Sequence, residues 1–319
     1  MIRLLKKIKN LVINNIFPKD SNKNKVLLAQ NLAINNRSLG SILDFKEVEF
    51  SCFSQYGEDG IIDWLISKLP NIPKKFVEFG VADYQESNTR LLLQLHNWQG
   101  LILDGSNEFM QKVKADDISW RHQIDTKCAH ITRENINLLL EENKMIGEIG
   151  LLSIDIDGND YHVWQSINVV NPVIVIVEYN AVLGDLHSIT IPYRPDFFRT
   201  KAHSSNLYFG ASLNALITLG IEKGYTFVGT NTNGVNAFFI RNDYASKITS
   251  LLSSISAYPS LFRESRDNEG RLTSVSGIDR FKIIKDCKFF DVIKKQNIKI
   301  DKLEEIYSPK WQKGEKNNF

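Results

Sequence analysis

The sequence predicts an α/β fold, a mostly parallel sheet with helices on both faces, from three observations. First, LLSIDI and VIVIVEY, inside Leu151 to Asn180, are short β-branched-rich apolar runs separated by a helix-length segment. Neighbouring strands of a sheet covered on both faces read this way, because neither face needs polar side chains. Second, KFVEFG and GLILDGS repeat the pattern upstream, each followed by helical periodicity. Third, YTFVGTNTNGVNAFFIR reads as a β-hairpin turning at Asn233-Gly234.

The elements follow in order. Residues 1–50 are expected to hold a basic amphipathic helix and a linker. The first 25 residues carry seven Lys/Arg against one acid, with Ile2, Leu4, Leu5, Ile8, Leu11 and Val12 at helical spacing. Such a helix docks on its own protein, docks on a second subunit in a homo-oligomer, or contacts an anionic membrane surface peripherally. No apolar core with a small-residue cleavage site follows, and no run reaches the roughly 20 apolar residues of a membrane span, so neither a signal peptide nor a span is expected.

Residues 51–242 form the expected α/β domain. Ile61, Ile62, Leu65, Ile66 and Leu69 lie on one helical face, with acids in the first turn and Pro70 past the end. KFVEFG is the first strand, and SNTRLLLQLHNW a helix capped by Ser87 or Asn88. GLILDGS is the second strand, ending at Asp104. A short third strand is placed at Ala129 to Ile131, before the helix RENINLLLEEN. The central unit comes next, then an irregular stretch from Ala181 to Asn206, long enough to suggest a functional loop. The helix GASLNALITLGIEKG leads into the hairpin. Residues 243–319 read as a helical extension with loops, and Trp64, Trp98, Trp120 and Trp164 read as core.

Composition narrows the function. With 319 residues and 43% hydrophobic side chains, the chain can build a large core. A net charge of +2 and the absence of a Lys/Arg block interleaved with aromatics argue against nucleic acid as a partner. Cys52, Cys128 and Cys287 are odd in number and widely spaced, which fits a reducing cytoplasm better than a disulfide framework or a zinc site.

The chemistry concentrates at strand ends. Alternation along a strand puts Asp155 and Asp157 on one face roughly 7 Å apart, and Glu178 and Asn180 likewise on the next strand. Ligands of open α/β sheets bind at that edge. Gly80 permits close approach of a ligand, and Asp104, 24 residues later, can accept both hydroxyls of a ribose. The G-x-G-x-x-G series is missing, which argues against a pyrophosphate cradle. Simpler readings stay open: Asp157-Gly158 and Asp104-Gly105 as turns, Glu178 as a buried acid paired with Arg90 or Arg194, and His187 and His203 as exposed loop residues.

QYGEDGII, FVEFGVADYQESNTRLL, LDGS, LLSIDIDGNDYHVW, VIVIVEYN, IPY, YFGASL and GVNAFFIR, in that order, resemble the FkbM-type branch of class I S-adenosylmethionine-dependent methyltransferases, in particular a bacterial group associated with surface-glycan assembly. The resemblance covers about Phe53 to Arg241. It implies a doubly wound, mostly parallel seven-stranded sheet with a C-terminal antiparallel hairpin strand. It also implies S-adenosylmethionine as cofactor, with Glu78 and Gly80 beside its methionine end, Asp104 on its ribose, and Gln55, Tyr56, Ser106, Thr132 and Asp155 around it. The acceptor would be a sugar or glycan-precursor hydroxyl near Asp157, Glu178, Asn180 and Tyr193. Either a protein base or a Mg2+ or Mn2+ ion held by Asp157, Glu178 and Asn180 would help deprotonate it. Val81, Ala82 and Asp83 depart from the family's glycine loop. Two alternatives stand beside this reading: another transferase using a nucleotide-activated sugar with a divalent metal, and a non-catalytic binding subunit of a glycan-assembly complex.

Overall fold

The computed structural model describes residues 21–299, 303 and 305–316, so most of the basic N-terminal run lies outside the described residues. The main sheet has the order β3-β2-β1-β4-β5-β8-β7. Its strands are β1 (Lys75–Phe79), β2 (Gln99–Asp104), β3 (Ile124–Cys128), β4 (Gly147–Ile154), β5 (Val170–Glu178), β7 (Tyr225–Thr230) and β8 (Asn236–Arg241). Strands β1 to β5 pair in parallel, and β8 enters antiparallel between β5 and β7. This is the mostly parallel seven-stranded, Rossmann-like sheet with a closing hairpin that the sequence predicts.

The apolar runs explain the two layers. Along VIVIV, Ile174 and Ile176 face a core shared with Trp64, Leu65, Leu92 and Phe238. Val175 and Val177 face the opposite core, with Trp164, Leu216, Leu219 and Phe239. Period-two alternation in a run without polar residues therefore feeds two helical layers. The chain winds outward through β1, β2 and β3, then returns to β4 on the far side of β1. That reversal opens the crevice between β1 and β4 where such sheets bind ligands. The register pairs Phe79 with both Leu103 and Ile154, and Ile154 with Val177, so the chain leaves β1, β2, β4 and β5 side by side at one edge.

Several expectations need correction. The third strand lies at Ile124–Cys128, five residues before the expected place; as a half-exposed edge strand it lacks a continuous apolar signal. The helix after β1 spans Arg90–His96 with Thr89 as its cap residue, because Asn88 and Thr89 are held instead by Glu78. Trp120 is 72% exposed, its indole lying under the Arg121 guanidinium and donating to Asp117.

The C-terminal extension carries helices and also a hairpin, β9 (Lys288–Asp291) and β10 (Gln296–Lys299). This hairpin adds to β6 (Ile189–Thr190), a strand inside the long stretch after β5, and makes a small antiparallel sheet. Val182, Leu183, Ile191, Phe209 and Phe289 fill the space beneath it. Tyr307 and Trp311 reach into the main core, where the Tyr307 hydroxyl donates to the Ala181 carbonyl.

Candidate functional site

A cavity of about 610 Å³ opens at the carboxyl edge of the sheet, within the usual size range of a small-molecule site. Gly80, Asp104, Asp155 and Glu178 line it from the ends of β1, β2, β4 and β5. Gly80 is required there by the backbone: its φ is +72°, and a Cβ would lie 1.6 Å from the Asp155 carbonyl oxygen. Asp104 accepts the Ala82 and Ser106 amides at 2.9 and 2.7 Å, which fixes its carboxylate at the cavity wall. Phe109, Ala129 and Ile131 make the apolar wall beside it.

The motif QYGEDG builds the opposite rim. Asp59 accepts the amides of Cys52, Phe53 and Ser54 through one oxygen, at 2.6 to 2.9 Å. Burial raises its pKa to about 6 despite those bonds. Glu58 accepts the side-chain amides of Asn231 and Asn236, both at 2.8 Å, and the Tyr56 backbone amide at 2.7 Å. The start of the helix Glu58–Lys68 is thus tied to the β7–β8 turn, and Gln55 and Tyr56 are held over the cavity.

At the far end, Asp155, Asp157 and Glu178 each present a carboxylate oxygen, all within 4.8 Å of one another. Burial, then the charges of Asp157 and Asp160, hold Asp155 well above the usual carboxylate range. Burial, then Asp155 and Asp157, does the same to Glu178. Such a crowded pair retains a proton where isolated acids would be charged. Asp160 stands behind them, accepting the Ile156 and Gly158 amides, which fixes the strand-end turn; burial raises it to about 6.

Sequence reasoning missed the cation of this cluster. Glu178 does not meet Arg90, which lies 3.7 Å from Asp116, or Arg194, which pairs with Asp196. Arg199, at the start of the short helix Arg199–Ala202, donates to Asp157 at 2.5 Å, lies 3.8 Å from Glu264, and stacks on Phe209 at 3.8 Å. Asp157, with φ +55°, is both a turn residue and a member of the acid cluster. Phe198, Phe262, Glu264 and Arg280 complete the wall from segments that carried no motif. Arg280 donates to the Ser260 and Phe262 carbonyls and so fixes that covering segment. An arginine in the irregular stretch after two strand-end acids was the available signal for Arg199.

Other expected site residues are engaged in local structure. Glu78 accepts the Asn88 and Thr89 amides and the Thr89 hydroxyl, shaping the loop after β1 rather than lining the cavity; burial raises it to about 7. Ser106 caps the helix Asn107–Ala115 through a bond from the Phe109 amide. Thr132 exchanges hydrogen bonds with Asn135 just past the cavity wall. Tyr193 donates to Glu134 under the Arg133 guanidinium, outside the cavity lining. Asn180 reaches the lining, but its amide donates to the Leu207 and Phe209 carbonyls and accepts the Val182 amide. These three bonds use it as an anchor of the long loop, and the group among the described residues that could hold a metal ion comprises the three carboxylates.

The sequence matches no family model and no curated protein. Among solved structures it is similar to TehB from Haemophilus influenzae, at 12% identity and a TM-score of 0.34, covering 55% of this chain and 59% of that one. The chain thus spans less than two thirds of TehB. It is also similar to an O-methyltransferase from Bacillus cereus in complex with SAH, at 13% identity and a TM-score of 0.36, covering 75% and 98% of the two chains. A putative caffeoyl-CoA O-methyltransferase from Staphylococcus aureus gives 14% identity and a TM-score of 0.36, covering 75% and 99%. These are distant likenesses, and the fold assignment rests on the strand order itself.

Proposed function

We propose that the chain is an S-adenosylmethionine-dependent O-methyltransferase acting on a sugar hydroxyl of a glycan precursor. The observation that carries this reading is the pairing, in one cavity, of a nucleoside-type end with an acid-rich end. The cofactor's fit is supported by the donor set: each oxygen of Asp104 accepts one backbone amide, and the carboxylate retains lone pairs for two ribose hydroxyls. Phe109, Ala129 and Ile131 would border the base, and Gly80 with Asp155 the methionine end.

When bound, the cofactor supplies an activated methyl group, so the protein's task is alignment and removal of the acceptor proton. Asp155 and Glu178, whose proton affinity is raised by burial and crowding, would take up that proton through whichever of the pair is ionised. Tyr56, Phe198 and Phe262 offer ring faces for a sugar. Asp155, Asp157 and Glu178 are also the residues that would hold Mg2+ or Mn2+, which would lower the acceptor's pKa.

In this reading the protein works in the cytoplasm, consistent with three unpaired cysteines, and residues 1–25 give peripheral contact with an anionic membrane. Thermal-shift measurements separate this function from a nucleotide-sugar transferase. SAH is expected to raise the melting temperature by several degrees, with UDP- and GDP-sugars inert. Stabilisation by a nucleotide sugar and not by SAH would reverse the assignment.

A further inference from the structure

We infer that the outer face of the helix Ser21–Ser38 docks on the surface of an anionic lipid bilayer. The inference deepens the membrane contact proposed for residues 1–25, because it assigns the apolar half of that contact to the folded body. This helix inverts the usual amphipathic order. Ala29 and Ala33 face inward and are fully buried, and Val26 packs beside Phe53, Leu91 and Leu95. Leu27, Leu28 and Ile34 face outward and are 58%, 56% and 57% exposed. Seven residues make nearly two turns, so Leu27 and Ile34 lie on one line with Asn31 between them, and Leu28 stands about 100° round from Leu27. Asn24, Asn31 and Asn35 are exposed on the same side, and no acid occurs in the helix.

Charge and area select the partner. The first 25 residues carry seven Lys/Arg against one acid, the last two of these cations being Lys23 and Lys25 on the helix itself. Exposed aliphatic side chains continuous with a basic run match an anionic headgroup layer above an acyl boundary. A second copy of the chain fits less well. Three half-exposed aliphatic side chains offer roughly 300 Å² of apolar surface, well short of the ~800 Å² per partner that a stable interface buries. A two-fold contact would also bring two basic runs together. The helix is oriented by its ends. Lys25 lies 5.6 Å over the Phe53 ring, two residues before Gln55 at the cavity, whereas Arg37 pairs with Asp63 at 2.6 Å inside the helix Glu58–Lys68. The docking face therefore begins at the edge of the molecule where the cavity opens and runs away from it.

The test is co-sedimentation of the full chain with phosphatidylcholine vesicles, with and without one third phosphatidylglycerol, at about 0.15 M and about 0.5 M salt. The parent is expected to partition onto the anionic vesicles at both salt concentrations, since salt does not screen the apolar contribution. Leu27→Gln/Leu28→Gln/Ile34→Gln should lower the partition coefficient at least tenfold with an unchanged melting temperature. Asn31→Leu, which fills the gap between Leu27 and Ile34, should raise it at least threefold. Lys6→Gln/Lys7→Gln/Lys9→Gln should weaken binding at the lower salt only. Equal partitioning of the parent and the aliphatic-to-Gln variant overturns the inference, and if the lysine variant alone loses binding, the basic-run contact stands without it. The reverse pattern upholds the docking face and counts against the basic run. A parent that stays in solution beside anionic vesicles overturns both. A parent that is dimeric by sedimentation equilibrium, and monomeric once the three aliphatic side chains are replaced, assigns the face to a second copy and overturns the inference as well.

Discussion

Replacing Glu178 by Gln is expected to stabilise the protein at pH 8 and to leave it unchanged near pH 4. Glu178 is buried, and its pKa lies well above the ordinary 4.5 because of burial and then Asp155 and Asp157. The folded chain therefore keeps this proton at pH values where the unfolded chain has released it. Stability is complete below the unfolded pKa and falls as pH rises above it, by at most about 1.4 kcal/mol per pH unit, until the folded pKa is passed. The electrostatic scale agrees. One ionised neighbour within 4.8 Å costs about 3.5 kcal/mol at an effective dielectric of about 20. Arg199 offsets much of the Asp157 contribution, so Asp155 sets the scale. Glutamine should then gain about 1–3 kcal/mol at pH 8, which for a chain of this size raises the melting temperature by roughly 1.5–4.5 °C. Scanning calorimetry of both proteins at pH 8 and pH 4 reads the difference, and methyl transfer should drop at least about a hundredfold. A melting difference independent of pH, or a variant less stable at pH 8, would refute the crowded-carboxylate argument.

Gly80→Ala should destabilise the fold and weaken SAH binding together, since the new Cβ would lie 1.6 Å from the Asp155 carbonyl oxygen at a φ of +72°. A loss of about 2–4 kcal/mol in urea unfolding is expected, and an unchanged midpoint would contradict the close approach of β1 and β4. Asn231→Ala removes a donor to Glu58 and leaves the Val235 and Asn236 amides without their acceptor. It should cost about 2–4 kcal/mol and lower SAH affinity only through the rim that holds Tyr56. Removing residues 1–20 should preserve melting temperature and SAH affinity while reducing sedimentation with anionic vesicles, and equal sedimentation would end the membrane reading.

The sheet was legible because buried parallel strands leave a strong mark: VIVIVEY and GLILDGS are unbroken apolar runs closed by an acid, and NTNG carries its own turn chemistry. β3 was misplaced because the edge strand IDTKC has only alternate half-buried positions, and the hairpin Lys288–Lys299 was hidden among lysines. At the site, Gly80, Asp104, Asp155, Asp157 and Glu178 follow from strand-end position, which sequence fixes locally. Arg199, Glu264 and Phe262 reach the same cavity from 21 to 86 residues beyond the end of β5, through irregular segments whose path no periodicity encodes. Glu78 illustrates the converse. It stands one residue before the end of its strand, where side-chain alternation turns it into the protein and it organises the Asn88-Thr89 loop.

The most direct measurement is the affinity of SAH for the parent protein and for Asp104→Ala, by isothermal titration calorimetry, with folding of both checked by circular dichroism. The account predicts saturable binding at a single site on the parent and at least a tenfold loss in the variant, the alanine lacking both acceptors for the ribose hydroxyls. Equal affinity in the two proteins, or no binding to the parent at millimolar SAH, would contradict it.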